Sequence, residues 1–591
     1  MKPSLLKHAG CDIIDINPGA GIWSSAIHNL LKPRNHYLME PDSVLYTPLL
    51  QPLLDAEGST YKLIPKSGAV WGHLNTLLTP ETLPQQKEYA PGDPELDKPN
   101  DTLLVMANLG WHPRKPFRAF PSISLLVVHQ LLSAVRAHSL FHQYGLIRML
   151  IWVADEEGKT VLPRTINVRR KTAIEAEVSC SDIFEIASAS VENQFRRDEH
   201  LNIESSRRAL QRMEEAGITT PAGRETSYQL KAAESPDKQT SGEDSEVRRD
   251  WQDEIQDLEK RFAAGEFAIF AESETSVLNP EWKRLCYLRK LQEDRNKTPG
   301  KRKLLAKLVE ELEALEAKFA AGNIKRHILA ETKASENGRG KVQKHTPEYH
   351  RLLSLRSRKA SDLGRGERSN PLFEEFEAIL EMQAKVKTLS GTKAEELQQE
   401  IEERTAGFNE QVESLAFGEK AAFRLRLDDR RTFNNDPPLL YWDRREAEPL
   451  KVHAHEFYPK QELCLLDFHP QALWPVLRQG FPATYDIFEY LVSTMYISPT
   501  QSLKAALTAT YPGAIEWLVE ECPSLTDVRK GGSPDLDFIT VRCLTLEMLR
   551  EIIEAWMRWP FRPDRFELMR RSGSTPHDPE EDERLGSSVG T

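Results

Sequence analysis

The chain has 591 residues, of which 28% are charged and 37 are proline, and its mean hydropathy is −0.52. About two to four domains fit this length, and the composition excludes a chain that is folded core throughout. The formal net charge of −12 at pH 7 is not typical of a dedicated nucleic-acid binder, although a local basic cleft is compatible with it.

The positions of the cysteines and of the apolar residues narrow the class of protein further. The six cysteines are widely scattered and form no Cys-x-x-Cys pair, so we expect reduced thiols rather than a disulfide framework or a zinc site. They are Cys11, Cys180, Cys286, Cys464, Cys522 and Cys543. The chain has no apolar run of the roughly eighteen residues that a membrane-spanning helix needs, which predicts no membrane span.

The first predicted elements are a buried strand, a glycine turn and a helix. The β-branched residues of Ile13–Ile16 predict the strand, turn residues from Asn17 onwards end it, and a helix should follow from Ser24. Gly19 and Gly21 carry no side chain, so a ligand could approach the backbone and the helix N-terminus closely. Such a turn also occurs where a helix merely packs tightly on a strand, and spacing alone leaves both interpretations open.

A second predicted strand, Tyr37–Met39, ends in Glu40, at the distance from the turn where a ribose-binding carboxylate is expected. One carboxylate can accept hydrogen bonds from both hydroxyls of a ribose. A surface glutamate at a strand end is the alternative. The six-residue glycine pattern of a dinucleotide site is missing, which favours a smaller nucleoside ligand such as S-adenosylmethionine.

A further buried strand, Leu103–Met106, leads into the tetrapeptide Asn108-Leu109-Gly110-Trp111. Following the glycine turn and Glu40 in order, this tetrapeptide resembles the Asn-Leu-Pro-Tyr signature of the rRNA adenine dimethyltransferase superfamily. That superfamily includes the mitochondrial transcription factors of the B type and the fungal mitochondrial transcription factor branch. An asparagine oxygen and a backbone carbonyl can hold an adenine amino group, and an aromatic ring can stack on the base.

The resemblance returns after a long interruption. Residues Glu456–Phe468 look like the Phe-x-Pro segment and last sheet strand of the family, with the strand at Leu463–Leu466. Residues 485–507 resemble the start of the small helical domain of the family, and residues 542–556 resemble its last helix. That helix should have Thr545 as its N-cap. Its predicted apolar face consists of Leu546, Leu549, Ile552, Ile553 and Trp556.

The resemblance implies a cofactor and a set of site residues. It implies S-adenosylmethionine bound by Asp15, Asn17, Gly19, Gly21, Glu40, Ser67 and Asn108, with Asn108 and Trp111 as the catalytic residues. Two departures weaken the enzyme interpretation. Ser67 stands where active relatives carry an acid for the cofactor adenine, and Gly110 replaces a proline and should loosen the backbone. We expect cofactor binding and leave methyl transfer open.

A basic group follows the tetrapeptide in the sequence and could contact a phosphate backbone. Its members are Arg148, Arg164, Arg169, Arg170 and Lys171. The positively charged cleft expected between the core and the small domain of this family would be a local feature of an acidic chain. Ordinary exposed charges on strands and loops are the equally weighted alternative.

The predicted fold is an α/β class I S-adenosylmethionine methyltransferase core, Rossmann-like, with a small C-terminal helical domain and a long charged insertion. The core should have a mixed sheet with helices on both faces, and its last strands should be Leu439–Trp442 and Leu463–Leu466. The predicted boundaries are 1–190 and 428–484 for the core, 191–427 for the insertion, 485–570 for the helical domain and 571–591 for a disordered tail.

The insertion has a mixed composition. Residues 205–249 are polar and should be disordered, residues 251–330 should form a helical arm, 351–369 a basic linker and 373–397 a further helix. Within the arm, Leu258–Gly265 and Leu315–Gly322 form a small internal repeat that ends in Ala-Ala-Gly. The basic linker is more compatible with a solvated segment than with a nucleic-acid contact, because no aromatic residues alternate with its charges.

Three functional interpretations remain open. The preferred one is a mitochondrial transcription initiation factor that helps a single-subunit mitochondrial RNA polymerase at promoter DNA. The alternative is an active rRNA adenine N(6)-dimethyltransferase that acts on small-subunit rRNA. A third is a ribosome assembly factor whose insertion binds protein. Mitochondrial localisation follows from the resemblance alone, because the ten residues before Cys11 show no Arg-rich amphipathic pattern.

Overall fold

The computed structural model describes most of the chain. The described residues are 2–110, 116, 120–189, 197–234, 251–268, 276–297, 306–324, 327–329, 346–386, 389 and 391–572. Residues 1–248 together with 365–591 form one compact unit, and residues 249–364 form a second. The predicted tail lies outside the described residues from position 573 onwards.

The strands belong to one large sheet in the first unit and one small sheet in the second. In chain order they are β1 Asp12–Ile16, β2 Asn35–Met39, β3 Tyr61–Ile64, β4 Leu103–Asn108, β5 Met149–Ala154, β6 Cys180–Ser188, β7 Ser276–Leu278, β8 His327–Leu329, β9 Leu450–Lys451 and β10 Leu463–Pro470.

Helices connect and cover these strands. They are α1 Lys2–Leu5, α2 Ile22–Leu31, α3 Ser43–Leu54, α4 Trp71–Asn75, α5 Ile123–Ala137, α6 Asp155–Val161, α7 Lys171–Ser179, α8 Glu199–Glu215, α9 Ser227–Glu234, α10 Trp251–Ala263, α11 Pro280–Lys297, α12 Ala306–Ala320, α13 Pro347–Val386, α14 Thr392–Ser414, α15 Phe417–Asn434, α16 Pro475–Arg478, α17 Ala483–Met495, α18 Leu503–Thr510, α19 Ala514–Glu521, α20 Leu546–Arg558 and α21 Arg565–Ser572.

The large sheet has the order β3-β2-β1-β4-β5-β10-β6-β9. The five strands β3, β2, β1, β4 and β5 run parallel to one another. Strand β10 lies between β5 and β6 and is antiparallel to both. The strand order reverses between β1 and β4, so their carboxyl ends flank the crevice where doubly wound folds bind ligands. The predicted fold class, a Rossmann-like α/β core with an additional helical region, is confirmed.

Alternating side chains explain why helices cover both faces of this sheet. Ile14 on β1 packs in a buried cluster with α5, whereas its neighbour Ile13 packs with Ile27 and Leu31 of α2. Every residue of β1 is buried, as expected for a parallel strand enclosed by helices. The core therefore has two apolar layers, one on each side of the central strands.

One stretch, Ile123–Tyr144, is long and apolar enough to cross a membrane by length and composition alone. It contains α5, and 72% of its most apolar window is buried inside the protein. Burial of this extent is typical of the core helix of a globular domain.

The helical region after β10 has the predicted cap and apolar face. Helix α20 begins after Thr545, whose hydroxyl accepts a hydrogen bond from the N–H of Met548 at 3.2 Å. Of the predicted face, Leu549, Ile552, Ile553 and Trp556 are buried, and Leu546 is partly buried against the same cluster.

The predicted strand Leu439–Trp442 is wrong. Residues Tyr441–Arg444 form a 3-10 helix, and the Tyr441 hydroxyl hydrogen-bonds to the carbonyl oxygens of Glu177 and Cys180. The apolar run is buried beneath β6 and α7 by side-chain packing rather than by strand pairing, which periodicity cannot distinguish. The other predicted strand, Leu463–Leu466, lies within β10.

The structure also differs from the expectation of disorder at 205–249. Helices α8 and α9 cover most of 199–234, while residues 235–250 lie outside the described residues. Buried polar contacts hold α8: Ser205 donates to Asp443 at 2.6 Å and accepts from Arg445 at 2.7 Å. A composition argument misses such a segment because three of its six buried residues, Asn202, Ser205 and Ser206, are polar.

The predicted basic linker 351–369 lies inside α13, and the predicted helix 373–397 is divided between α13 and α14. In the second unit, α10 and α12 contain the predicted repeat, and each is followed by a left-handed glycine, Gly265 or Gly322. The repeat continues further than predicted, because Asn279-Pro-Glu-Trp at the start of α11 matches Thr346-Pro-Glu-Tyr at the start of α13.

In the second unit, each helix of one repeat copy packs against a helix of the other copy. Leu285 and Leu288 of α11 pack with Leu312 and Leu315 of α12, whereas α10 packs against Leu352 and Leu355 of α13. Equivalent ion pairs accompany both contacts. They are Arg284–Glu311, Arg289–Glu316, Arg351–Glu254 and Arg356–Glu259. The first helix of each copy therefore pairs with the second helix of the other.

We predict that two equivalent truncations loosen different helices. Removing a buried leucine side chain costs about 2–5 kcal/mol, so Leu285→Ala should speed amide hydrogen exchange in α12 and leave α10 unchanged. Leu352→Ala should do the reverse. Hydrogen-exchange mass spectrometry of the full chain measures both, and each variant is the control for the other. Faster exchange of α10 in Leu285→Ala would contradict the exchanged pairing.

Candidate functional site

The turn after β1 adopts three left-handed backbone conformations within five residues. The φ angles are +56° at Asn17, +56° at Gly19 and +72° at Gly21. Asparagine tolerates this region better than other non-glycine residues, which explains why the first position need not be glycine. The turn places the N-terminus of α2 at the carboxyl end of β1, as the sequence predicted.

Glu40 lies at the end of β2 and binds this turn directly. Its carboxylate accepts one hydrogen bond from the N–H of Gly19 at 2.8 Å and another from the N–H of Asp42 at 2.9 Å. The side chain is buried. Burial raises the pKa of Glu40 above its usual value, and the two N–H donors oppose that rise. One lone pair on each oxygen remains for a further donor.

Asp15 lies beneath the turn and is fully buried. Its Oδ2 accepts a hydrogen bond from the Ser24 hydroxyl at 2.5 Å and lies 3.4 Å from Nε2 of His36. Its other oxygen, Oδ1, is buried without a hydrogen-bond partner, and so is Oδ1 of Asn17. The turn therefore presents two unused acceptors near each other in sequence. Buried acceptors of this kind usually have a partner in native proteins.

The loop after β3 approaches the same strand ends. A Cβ at Gly68 would lie 2.8 Å from the Ile16 side chain and 3.1 Å from Met39 Sδ, so the loop packs directly on β1 and β2. Half-buried Ser67 precedes this glycine. Tyr46 of α3 lies on the other side of the turn, because a Cβ at Gly19 would be 3.8 Å from its ring.

Asn108 ends β4 and bonds within the protein through both its oxygens. Its backbone oxygen accepts from Nδ2 of Asn17 at 3.2 Å, and its Oδ1 accepts from the N–H of Gly110 at 3.1 Å. The next carbonyl, of Leu109, accepts from the Ser124 hydroxyl at 2.6 Å. Asn108 Oδ1 and the Leu109 carbonyl oxygen each accept one of these bonds and each keep one lone pair for a further donor.

Gly110 packs closely against β10, and the expected loosening of the backbone at this position stays a prediction. A Cβ there would lie 2.7 Å from the Leu463 side chain, so the close approach of β10 leaves no room for a larger residue. The Gly110 carbonyl accepts a hydrogen bond from Gln461 at 2.6 Å. Trp111, the other predicted catalytic residue, lies outside the described residues.

The structure thus brings together most of the predicted cofactor residues, from Asp15 to Asn108, at the carboxyl edge of β1, β2, β3 and β4. Sequence reasoning missed the residues that hold them. These are Ser24, His36, Tyr46, Ser124 and Gln461. Ser24 had a signal as an early residue of the predicted helix, whereas Gln461 is more than 300 residues from its partner and had none.

The predicted phosphate contacts of Arg148, Arg164 and Arg169 are wrong, because all three side chains are buried in carboxylate pairs. Arg148 donates to Asp467 at 2.8 and 2.5 Å. Arg164 donates to Glu185 at 3.1 and 2.5 Å. Bidentate pairs of this type occupy the guanidinium face that would bind phosphate.

Arg169 shows the same arrangement most completely. It is 0% exposed, binds Glu177 at 3.0 and 2.6 Å, and donates to the carbonyl oxygens of Arg542 and Leu544 at 2.8 Å each. It therefore joins α7 to the segment that precedes α20.

The remaining two members of the basic group differ. Lys171 is half-buried and binds Glu489 at 2.5 Å, whereas Arg170 is exposed. Of the five predicted nucleic-acid contacts, Arg170 alone has an exposed side chain. Its contact with nucleic acid stays a prediction.

Comparisons with known proteins give one consistent likeness. No protein-family model matches the chain. It is 25% identical over 154 residues to mitochondrial transcription factor 1 of Saccharomyces cerevisiae, which is 26% of this chain and 39% of that protein. The proteins of the same name from Saccharomyces paradoxus and Lachancea kluyveri are each 24% identical over 168 residues, 28% of this chain. The matches span 39 to 44% of the length of these relatives.

We predict that Arg148 acts in stability rather than in nucleic-acid binding. Removing one partner of a buried ion pair costs about 3–5 kcal/mol, so Arg148→Met should lower the free energy of unfolding, as measured by urea denaturation. Arg170→Met is the matched control and should change it little. Equal destabilisation by both substitutions would show that the buried pair has no special role.

The same pair predicts a pH dependence. Burial alone would raise the pKa of Asp467, but hydrogen bonds from Arg148 and His469 hold it below its usual value. A lowered carboxyl pKa stabilises the folded protein above the unfolded value of about 3.9, and that stabilisation is lost as the pH falls through the folded value. The difference in unfolding free energy between wild type and Arg148→Met should therefore shrink below about pH 4.

Proposed function

We propose that this chain is a mitochondrial transcription factor in which a methyltransferase-like core binds nucleic acid and assists a single-subunit mitochondrial RNA polymerase at promoter DNA. The similarity to mitochondrial transcription factor 1 of three yeasts supports the transcription role and the mitochondrial location. The Rossmann-like sheet supplies the framework. The bound nucleic acid and the polymerase belong to the proposal.

The observation that carries this proposal over an enzymatic one is the similarity to mitochondrial transcription factor 1. A methyltransferase acting on adenine needs free acceptors to hold both protons of the target amine, so that the nitrogen lone pair is available. Here Oδ1 of Asn108 accepts from Gly110, and the Leu109 carbonyl accepts from Ser124. Each oxygen keeps one lone pair, so these bonds tie the loop after β4 to the protein and narrow the directions from which an amine could donate.

The cofactor side is different, and its residues fit the polar ends of S-adenosylmethionine. Oδ1 of Asp15 and Oδ1 of Asn17 are buried acceptors without a partner, which suits an ammonium donor. Glu40 keeps a free lone pair on each oxygen for ribose hydroxyls. Bound S-adenosylmethionine would supply an electrophilic methyl group. We propose that the chain binds the cofactor without transferring that methyl group.

The second candidate, an active rRNA adenine N(6)-dimethyltransferase, is favoured by the same two unused acceptors. An entering adenine would have to donate to the remaining lone pair of Asn108 Oδ1 and of the Leu109 carbonyl oxygen. Methylation of a small-subunit rRNA hairpin by the purified chain, measured with radiolabelled S-adenosylmethionine, would establish this candidate in place of the first.

We predict that Gly19→Arg abolishes S-adenosylmethionine binding, measured by isothermal titration calorimetry. The new side chain would start 3.8 Å from the Tyr46 ring and fill the space above the turn. Gly58→Arg is the matched control, because Gly58 has a similar φ of +72° and no atom within 4 Å of the added Cβ. Both substitutions carry the same backbone strain of about 1–2 kcal/mol, so a difference between them reports the site.

Two results would count against cofactor binding. The first is the absence of binding heat with the wild-type chain. The second is equal affinity in wild type and Gly19→Arg, which would place any bound cofactor elsewhere. Neither result would affect the transcription role, which the next experiment tests.

We predict that Asn108→Ala leaves transcription support intact. Its side-chain oxygen bonds only to the adjacent loop in the described structure, so its loss should remove one local hydrogen bond worth about 0.5–1.5 kcal/mol. Run-off transcription from a mitochondrial promoter with the cognate single-subunit RNA polymerase measures the effect. Transcription by the polymerase in reactions without the chain gives the baseline. Loss of stimulation with a folded variant would contradict a purely structural role for this residue.

A further inference from the structure

A cavity lies between α13, α15 and the loop that follows the 3-10 helix Val528–Lys530, and none of its lining residues belongs to the β1–β4 crevice. Its volume is about 120 Å³. By the same measure a single water needs roughly 10–15 Å³, so the cavity has room for several waters or one small ligand. Its apolar wall includes Phe373 and Phe376, and its polar wall includes Arg431, Asn434 and Asn435.

Arg431 is the unusual member of this wall. The side chain is 6% exposed, and Nε, Nη1 and Nη2 are all buried without a hydrogen-bond partner in the described structure. Its guanidinium carbon lies 5.2 Å from the centre of the Phe376 ring. A buried guanidinium has five N–H donors, and leaving them unbonded is strongly unfavourable. Something that accepts hydrogen bonds should therefore bind there.

The acid that attracts Arg431 electrostatically does not hydrogen-bond to it in the described structure. Asp428 attracts Arg431 electrostatically, but its carboxylate bonds to Arg542 at 2.9 Å and to the Thr540 hydroxyl at 2.8 Å. The other acid of the cavity wall, Glu377, accepts from Arg430 at 3.2 Å. Burial, being only partly offset by Asp428 and Cys543, lowers the pKa of Arg431 from its usual value.

The loop opposite Arg431 is shaped to bring an amide into the cavity. Gly531 has φ +85°, and a Cβ there would lie 2.7 Å from Nδ2 of Asn435. The positive φ favours glycine at this position. The Asn435 amide lines the same cavity as Arg431 and adds neutral N–H donors.

We propose that this cavity is a binding site for a small oxyanion of the phosphate class, held by Arg431 with help from the Asn435 amide. A guanidinium matches phosphate oxygens with paired N–H donors, and amide N–H groups complete such a site without adding charge. The occupant is inorganic phosphate or the phosphoryl group of a mononucleotide. This site is separate from the proposed function and does not depend on it.

The test is calorimetric titration of the full chain with inorganic phosphate and, separately, with adenosine 5′-monophosphate. Wild type should bind, and Arg431→Met should bind about 10- to 100-fold more weakly, the loss expected for hydrogen bonds to a charged group. Asn435→Ala should bind about 3- to 10-fold more weakly and gives a second measure if Arg431→Met does not fold. Tighter binding of the nucleotide would identify a mononucleotide site, and equal or weaker binding a site for free phosphate.

Arg424→Met is the matched control, because Arg424 lies on the same helix, α15, with its side chain 46% exposed. It should bind phosphate as wild type does. Without phosphate, Arg431→Met should melt at a temperature equal to or above that of wild type, because an apolar side chain replaces an unbonded buried charge. Absence of phosphate binding by wild type, unchanged affinity in Arg431→Met, or a lower melting temperature of that variant in phosphate-free buffer would each overturn the proposal.

Discussion

The core of this protein depends on arginine side chains that are buried against carboxylates far away in the sequence. Arg148 pairs with Asp467, 319 residues later, and Arg197 pairs with Asp443, 246 residues later. Buried pairs contribute little net stability compared with apolar side chains of the same size. Their effect is geometric, because a guanidinium donates its paired hydrogen bonds to a carboxylate in one plane and one orientation. They fix the register in which the chain returns to the sheet after the insertion.

The same use of polar groups extends to the carboxyl edge of the sheet. On the β1 and β2 side, Glu40 holds the glycine turn and two acceptors of Asp15 and Asn17 stay unused. On the β4 side, the oxygens of Asn108 and Leu109 all bond within the chain. The crevice is therefore asymmetric in its hydrogen-bonding capacity, although the strands on its two sides are equally well buried.

Local pattern predicted the elements whose causes are local. The strands β1, β2 and β4, the turn at Gly19 and the cap at Thr545 follow from β-branched runs, glycine and a capping hydroxyl close in sequence. The roles of the arginines did not follow, because whether Arg169 faces solvent or Glu177 depends on tertiary packing. Helix α8 was missed because buried polar contacts, such as that of Ser205 with Asp443, hold it together with its apolar contacts. Likewise, the need for glycine at position 110 arises from Leu463, which only the folded sheet brings near.

The exchanged pairing in the second unit has a consequence for how a growing polypeptide assembles. Helices α11 and α12 are neighbours in the chain, so their contact closes a short loop and can form as soon as α12 has been synthesised. Helix α10 is made first but finds its partner last, because Leu352 and Leu355 follow it by nearly a hundred residues. During translation the apolar face of α10 therefore stays exposed to solvent until α13 has been synthesised. Once α11 and α12 have paired, the effective loop that must close for α10 to contact α13 is shorter.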